Sequence, residues 1–355
     1  MIKEFIENLS EYENTTNEYI KRYKTFDEFL NSISREVVIF GASTLGIFLL
    51  EYLKSKNVNV KFFSDNDKNK QGNLIEGIPV EPPSKIDIKD VVFVASGWEY
   101  EIYKQLVEMG IRDVIPYGKF QFKSNVENIE WLYQNLEDEE SKEILLKILE
   151  YRLTGTINFK PSRFKQYFHP KVSPERGDIV IDAGAYVGDT AIEFCKSIDK
   201  IKIYCFEPDP INYLKMIKNV HKEQLNDFIE PINAALSYKD GFMWLTKSKN
   251  SAGNFISRSY GDTKINVVSI DSSFKDIQNL QLIKMDIEGS ELDALKGAYN
   301  LIKKYTPKLQ ICLYHKPSDL WEIPIYIKTL SYNYDFFIGH HSYNWTETVL
   351  YAYAV

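Results

Sequence analysis

Residues 180–190 read Val180-Ile181-Asp182-Ala183-Gly184-Ala185-Tyr186-Val187-Gly188-Asp189-Thr190. The apolar residues before Gly184 predict a buried strand, and the residues after Gly188 have the spacing of a helix. Glycine at these two positions allows a sharp turn and a close approach of a ligand to the backbone. A strand, a glycine turn and a helix N-terminus form a nucleotide cradle in open α/β sheets. The segment therefore predicts an α/β fold with a ligand-binding cleft at this turn.

Two further predicted strands end in acidic residues. Residues 201–206 form an apolar run that ends at Glu207, a position from which a carboxylate can hydrogen-bond both hydroxyls of a ribose. Residues 282–285 form another run, which is followed by Asp286 and Glu288. Because the carboxyl ends of parallel strands lie along one edge of a sheet, we expect these acids and the glycine turn to share one cleft.

The length, composition and charge limit the classes of protein to which this chain can belong. A chain of 355 residues suggests two domains, and 44% hydrophobic with 26% charged residues is typical of a globular protein. The net charge of −7 argues against a nucleic-acid partner. Cys195, Cys205 and Cys312 lie in apolar patterns without metal-ligand spacing, as expected of reduced thiols. With no signal peptide and no membrane-spanning run, we expect a cytoplasmic protein.

The pattern of strands and helices divides the chain into four parts. Residues 1–34 have helical periodicity, and residues 35–118 alternate strands with helices, which predicts a small Rossmann-like α/β domain. Residues 119–170 lack this alternation and are interpreted as a helical connector that could cover the cleft. Residues 171–355 form a second, larger α/β domain, and its last two strands are expected to pair as an antiparallel hairpin. A parallel sheet that ends in such a hairpin is the layout of methyltransferase domains rather than of dinucleotide oxidoreductases.

The C-terminal half contains several distinctive motifs, which are Asp182 to Thr190, Phe206-Glu207-Pro208, Met285-Asp286-Ile287-Glu288-Gly289-Ser290-Glu291, Leu313-Tyr314-His315-Lys316-Pro317 and Asp319-Leu320-Trp321-Glu322-Ile323-Pro324. Together these motifs resemble those of the FkbM family of S-adenosylmethionine-dependent O-methyltransferases. The resemblance implies a Rossmann-like methyltransferase domain, S-adenosyl-L-methionine as cofactor, and a hydroxyl of a sugar or polyketide as acceptor. At Gly339 the chain departs from the family, which often has arginine there.

The resemblance also implies which residues contact the cofactor. Asp182 and the glycine turn would hold its methionine half, because the N–H groups of a helix N-terminus suit a carboxylate. Glu207 would bind the ribose, and Asn233 lies where such folds usually contact adenine. The expected cofactor contacts are Asp182, Gly184, Ala185, Tyr186, Gly188, Asp189, Thr190, Glu207, Pro208, Asn233 and Asp286. Each also has a structural alternative, such as a tight turn or a strand-end acid.

The candidate catalytic residues are Asp286, Glu288 and His315. A hydroxyl that accepts a methyl group must lose its proton, so a base within hydrogen-bonding distance helps. Histidine titrates near neutrality, and we therefore expect a neutral His315 to be the base, with Asp286 as the alternative base or as a polar wall for the sulfonium. The alternative for His315 is a structural hydrogen bond to the backbone. These three residues could hold a divalent cation, but no spacing demands one and we predict no metal.

The N-terminal domain leaves alternative functions open. Its residues Gly41-Ala42-Ser43, Asp65 and 77–80 are similar to those of Rossmann-like domains in bacterial sugar-modifying enzymes. A nucleotide-sugar oxidoreductase is one alternative, although the full glycine fingerprint is missing. A non-catalytic nucleotide-binding or assembly protein, including a homodimer, is another. The sequence favours an O-methyltransferase whose partner is a small-molecule or glycan substrate, for synthesis of a surface polysaccharide or a natural product.

Overall fold

The computed structural model describes residues 1–11, 22–23, 25–246, 255–257 and 261–354. The chain forms two compact units, one of residues 1–134 with 145–159 and one of residues 135–144 with 160–355. The expected connector, 119–170, is thus distributed over both units. Part of the expected N-terminal helical segment, residues 12–21 and 24, lies outside the described residues. The domain boundaries inferred from the sequence stay predictions.

The first unit is built on a mainly parallel sheet. Its strands are β1 (Val37–Phe40), β2 (Val60–Ser64), β3 (Leu74–Ile75), β4 (Ile78–Glu81), β5 (Val91–Val94) and β6 (Asp113–Pro116). They lie in the order β3-β4-β2-β1-β5-β6, and only β3 pairs antiparallel. The central strands β1 and β5 are buried along their length because helices cover both sheet faces, which explains their continuous apolar sequence.

The helices of this unit supply the two layers. They are α1 (Ile2–Glu11), α2 (Phe26–Asn31), α3 (Thr44–Ser55), α4 (Glu99–Glu108), α5 (Tyr117–Ser124), α6 (Val126–Gln134) and the latter part of α7 (Glu139–Thr154), with a 3₁₀ turn at Pro83–Lys85. Leu49 and Leu53 of α3 pack in one core cluster. Ile102 and Leu106 of α4 pack in the other.

The second unit contains a larger sheet and a smaller one. Its strands are β7 (Ile179–Ala183), β8 (Lys202–Phe206), β9 (Ile229–Ile232), β10 (Ala235–Leu236), β11 (Gly241–Thr246), β12 (Phe255–Ser257), β13 (Thr263–Val268), β14 (Leu282–Met285), β15 (Lys308–Cys312), β16 (Tyr334–His340) and β17 (Thr348–Ala354). The larger sheet has the order β16-β17-β15-β14-β7-β8-β9, and the smaller has the order β10-β13-β11-β12. Strands β16 and β17 pair antiparallel. The predicted α/β fold and its closing hairpin are therefore confirmed.

The helices of the second unit follow the strands. They are α8 (Asp189–Ser197), α9 (Pro210–Lys222), α10 (Ile270–Ser273), α11 (Glu291–Lys296), α12 (Tyr299–Tyr305) and α13 (Asp319–Leu330). The strand order reverses at β7, which has β8 on one side and β14 on the other. Open α/β sheets bind ligands beyond the carboxyl ends of strands at such a switch point. Within the described residues, no helix is both long and apolar enough to cross a membrane.

Candidate active site

The glycine turn after β7 lies directly against the end of β14. Gly184 has φ +75°, and a Cβ at this position would lie 1.8 Å from the carbonyl oxygen of Asp286. Gly188 has φ +82° and is the N-cap of α8, in whose first turn Asp189 and Thr190 lie. Left-handed backbone and a close approach both favour glycine. The turn predicted from the sequence thus needs its glycines, and it joins the tips of β7 and β14.

Glu207 connects the tip of β8 to the same turn. Its Oε2 accepts a hydrogen bond from the backbone N–H of Tyr186 at 2.9 Å, and its Oε1 accepts one from Asp209 N at 2.9 Å. Burial raises the pKa of Glu207 to about 7, although these two N–H donors oppose the shift. The side chain of Asn212 also donates to this carboxylate. Because a carboxylate has about four lone-pair sites, Glu207 can still accept a hydrogen bond from a ribose.

Asn233 supports Glu207 through the backbone. Its side-chain amide donates to the carbonyl oxygen of Glu207 at 2.8 Å and to that of Pro208 at 3.2 Å. Ala185, also expected at the cofactor, is buried, and its N–H donates to Phe206 O at 3.0 Å. Asn233 and Ala185 therefore hold the walls of the cleft in the structure, and their contact with adenine or the methionine group stays a prediction.

Asp182 does not present its carboxylate to the cleft. The residue is fully buried, and its Oδ1 lies 2.9 Å from the Nζ of Lys284 on the neighbouring strand β14. Lys284 Nζ also donates to Gly184 O at 3.0 Å. Burial alone would lower the pKa of Lys284, but the carboxylates of Asp182 and Asp286 raise it above its usual value. This carboxylate pairs with an ammonium inside the sheet, and the expected contact of the Asp182 side chain with the cofactor stays a prediction.

The carboxylate of Asp286 is held by two tyrosine hydroxyls. Tyr314 donates to Oδ1 at 3.1 Å and Tyr167 donates to Oδ2 at 3.3 Å, while the side chain remains 25% exposed. Burial would raise the pKa of Asp286, but the charges of His315 and Lys284 lower it below its usual value. Asp286 is therefore an oriented, ionised carboxylate at the tip of β14.

Tyr167 is a site residue that the sequence did not reveal. The sequence placed it only within the expected helical connector, residues 119–170. Its backbone has φ +66°, its N–H donates to Tyr351 Oη at 3.1 Å, and its carbonyl accepts from Gln310 at 2.9 Å. These contacts with β15 and β17 fix the position from which its hydroxyl reaches Asp286. The only sequence signal was an aromatic residue in a segment expected near the cleft.

His315 is surrounded by carboxylates. Its Nδ1 lies 2.9 Å from Glu291 Oε1, and its Nε2 lies 3.4 Å from Asp286 Oδ1 and 3.7 Å from Glu288 Oε2. Burial would lower the pKa of His315, but the three carboxylates raise it to about 10. A raised pKa favours the imidazolium, which has no lone pair with which to accept a proton, and so argues against the expected neutral base at this position. The role of His315 stays a prediction.

Glu288, like Glu207, has a pKa near neutrality. Its side chain is 44% exposed, and its backbone has φ +56° in the loop after β14. Burial, together with the charges of Asp286 and Glu291, outweighs the opposite effect of His315 and raises the pKa of Glu288 to about 7. A group with this pKa can exchange a proton with a substrate at neutral pH.

Three side chains come close enough to hold a cation. Within the described part of the chain, Asp286, Glu291 and His315 each offer a ligand atom, and these atoms lie within 4.8 Å of one another. Glu291 faces Nδ1 of the ring and Asp286 faces Nε2, so the two carboxylates approach different nitrogens. This geometry is that of a doubly paired imidazolium. The absence of a metal stays a prediction.

The position at which the resembling family often has arginine is filled by aromatic rings. A Cβ at Gly339 would lie 2.8 Å from His341 Nε2, 2.8 Å from Tyr351 Cε2 and 2.9 Å from Phe164 Cζ. His341 also hydrogen-bonds to Tyr351 at 2.9 Å, and His340 is buried with Nδ1 2.8 Å from Thr348 Oγ1. No longer side chain fits at position 339 unless these rings move.

The first unit has an acid at the corresponding strand tip. Asp65, just after β2, accepts a hydrogen bond from Ala42 N at 2.9 Å through Oδ2 and one from Asp67 N at 2.9 Å through Oδ1. Lys70 Nζ lies 3.0 Å from Oδ2. Asp65 stabilises the loop after β1, and nucleotide binding by this unit stays a prediction.

Comparisons with known proteins agree with this geometry. Residues 182–336 match the Methyltransferase FkbM domain, and residues 33–114 match the domain described as C2185-like, N-terminal. The chain is 26% identical over 132 residues to the hexuronic acid methyltransferase AglP of Haloferax volcanii, a match that covers 36% of this chain and 53% of that protein. The chain thus spans about half the length of this curated relative.

A solved structure shares the fold along the whole chain. The crystal structure of Methyltransferase FkbM from Methylobacillus flagellatus KT superposes with a TM-score of 0.58 at 20% identity, over 99% of each chain. At this identity the likeness concerns the fold. It includes both α/β units, so the two-unit arrangement also occurs in that protein.

Proposed function

We propose that this chain, whose residues 182–336 match the Methyltransferase FkbM domain, transfers a methyl group from S-adenosyl-L-methionine to a hydroxyl of a sugar or glycan precursor. The observation that carries the proposal is the joining of three strand tips. Glu207 accepts a hydrogen bond from the Tyr186 N–H of the glycine turn at 2.9 Å. The same turn lies against Asp286. The likeness to a hexuronic acid methyltransferase supports a sugar as the acceptor.

The residues around the turn fit the cofactor. The N-terminus of α8 carries partial positive charge, which suits the carboxylate of the methionine group. Glu207 lies at the strand tip from which a ribose diol is bound. Asp286 is ionised and 25% exposed, so it places a negative charge where a sulfonium would be stabilised. When bound, S-adenosyl-L-methionine supplies an electrophilic methyl group.

The acceptor side of the cleft has a base with a suitable pKa. We assign that role to Glu288, whose pKa of about 7 would let it accept the proton of the acceptor hydroxyl. The acceptor oxygen would take the methyl group as the methyl–sulfur bond breaks, and S-adenosylhomocysteine would be the leaving group. His315 acts beside it as a fixed positive charge, because its imidazolium faces both Asp286 and Glu288. This charge keeps Asp286 ionised and orients the two acids.

A labelling experiment tests the proposed activity. The protein is incubated with S-adenosylmethionine that carries a deuterated methyl group, and with a panel of neutral and uronic nucleotide-sugars and glycans. We expect mass spectrometry to find the label on a sugar hydroxyl with the wild type and not with Glu288→Gln. Label on nitrogen or carbon of any acceptor would contradict O-methylation. A cytoplasmic location and a homodimer stay predictions.

A further inference from the structure

We infer that Lys284 is a positioning residue for the cofactor site, whose ammonium fixes the conformation of the glycine turn from inside the sheet. Lys284 lies on β14 and is 2% exposed, so it touches neither cofactor nor acceptor. Its register partner across the sheet is Asp182, on the strand that leads into the turn. The inference rests on the proposed function only in that the turn is taken to bind S-adenosylmethionine.

The ammonium of Lys284 has as many acceptors as donors. Its Nζ lies 2.9 Å from Asp182 Oδ1, and it donates to Gly184 O at 3.0 Å and to Ala183 O at 3.4 Å. A lysine ammonium has three N–H donors, and all three are thus matched by oxygens of one short segment. Two of these oxygens are main-chain carbonyls of the turn, so Lys284 acts on the backbone itself.

The opposite side of the turn is fixed by β8. Gly184 N and Ala185 N both donate to Phe206 O at 3.0 Å, and Tyr186 N donates to Glu207 at 2.9 Å. In a trans peptide the C=O and the following N–H point in opposite directions. The carbonyls of the turn therefore point to Lys284 while its N–H groups point to β8. Removing either set of contacts frees the peptide planes to rotate.

This arrangement separates the roles of the two charged residues. Asp182 compensates the charge of Lys284 through its Oδ1, whereas Lys284 also contacts the main chain of the turn. An asparagine at 182 would keep an oxygen for the ammonium and would leave both carbonyl contacts of Lys284 intact. A methionine at 284 would remove all three contacts at similar side-chain length.

The test compares two variants with the wild type. Asp182→Asn/Lys284→Met replaces the buried ion pair by neutral side chains, which avoids leaving one buried charge alone. We expect S-adenosylhomocysteine affinity to fall by about tenfold or more, since two hydrogen bonds to a charged donor are lost. Hydrogen exchange of the peptide that spans residues 180–190 should become faster in the ligand-free protein, with the rest of the sheet unchanged.

A matched control is Lys308→Met. Lys308 lies at the amino end of β15, where its Nζ donates to Ser173 O at 3.0 Å, so its loss should not affect the turn.

A folded double variant with wild-type exchange and affinity would overturn the inference. If the wild type itself fails to bind S-adenosylhomocysteine, the proposed function fails, whereas the exchange comparison still tests Lys284.

Discussion

Glu207 Oε2 accepts a hydrogen bond from the backbone N–H of Tyr186 at 2.9 Å, which ties the tip of β8 to the glycine turn after β7. The same carboxylate also accepts from Asp209 N, so one side chain organises two loops. Because Glu207 is also the expected ribose ligand, its removal should affect cofactor binding in two ways, by losing a direct contact and by loosening the turn.

Glu207→Ala should weaken the binding of S-adenosylhomocysteine by roughly 1–3 kcal/mol, from the loss of charge-assisted hydrogen bonds. Isothermal titration calorimetry measures this change. Glu223→Ala is the control, because Glu223 pairs with Lys196 on the surface and away from the turn. Equal affinities of Glu207→Ala and the wild type would remove Glu207 from the cofactor site.

The rate of methyl transfer should rise with pH through about 7, the pKa of Glu288. A general base acts in its deprotonated form, so the rate falls as Glu288 becomes protonated on acidification. Glu288→Gln should reduce turnover by about a hundredfold to ten-thousandfold while cofactor affinity is retained. The measurement is the pH profile of kcat/KM once an acceptor is known. Normal turnover by Glu288→Gln would contradict this assignment and would favour Asp286 as the base.

His315 should stabilise the protein most at low pH. Its pKa is raised from 6.5 to about 10 by Glu291, Asp286 and Glu288 against the effect of burial, so the stabilisation is complete below 6.5 and is lost as pH rises through about 10. The difference in free energy of unfolding between the wild type and His315→Gln should therefore shrink as pH rises. Chemical denaturation across this range measures it. A difference that grows with pH would show that His315 is neutral in the folded protein.

Gly184→Ala should destabilise the protein more than Gly177→Ala. Both glycines have positive φ, +75° and +89°, so both substitutions strain the backbone by about 1 kcal/mol. Only at position 184 does the new Cβ meet another backbone atom, at 1.8 Å from Asp286 O, whereas at Gly177 nothing lies within 4 Å. Thermal denaturation of the two variants isolates the effect of the close approach. Equal losses of stability would mean that the turn and the tip of β14 can move apart without cost.

The parts of the site that the sequence predicted are those that depend on local patterns. Apolar runs locate the strands, and the residue after each run lies at a strand tip, so the positions of Glu207 and Asp286 follow from the sequence. Glycines 184 and 188 mark the turn for the same reason. The break between α11 and α12 at Gly297 is not such a local feature, because a Cβ there would lie 2.1 Å from Ser237 O, a partner distant in the chain.

The parts that the sequence did not predict depend on partners far along the chain. Asp182 is paired with Lys284, 102 residues away, and this partner turns its carboxylate from the cleft into the sheet. Tyr167 reaches Asp286 across 119 residues. The charge state of His315 is set by Glu291, which looks from the sequence like an acid in the first turn of a helix. A histidine considered by itself has a pKa near neutrality. The pKa of His315 is raised because the fold brings Glu291, Asp286 and Glu288 beside it.

Titration of the wild-type protein with S-adenosylhomocysteine, and in parallel with NAD, tests the central claim most directly. The titration measures cofactor binding by the turn, Glu207 and Asp286, and it can be done before the acceptor is identified. We predict saturable binding of S-adenosylhomocysteine at a single site and no binding of NAD. A folded protein that binds NAD and does not bind S-adenosylhomocysteine would contradict a methyltransferase and favour an oxidoreductase based on the first unit.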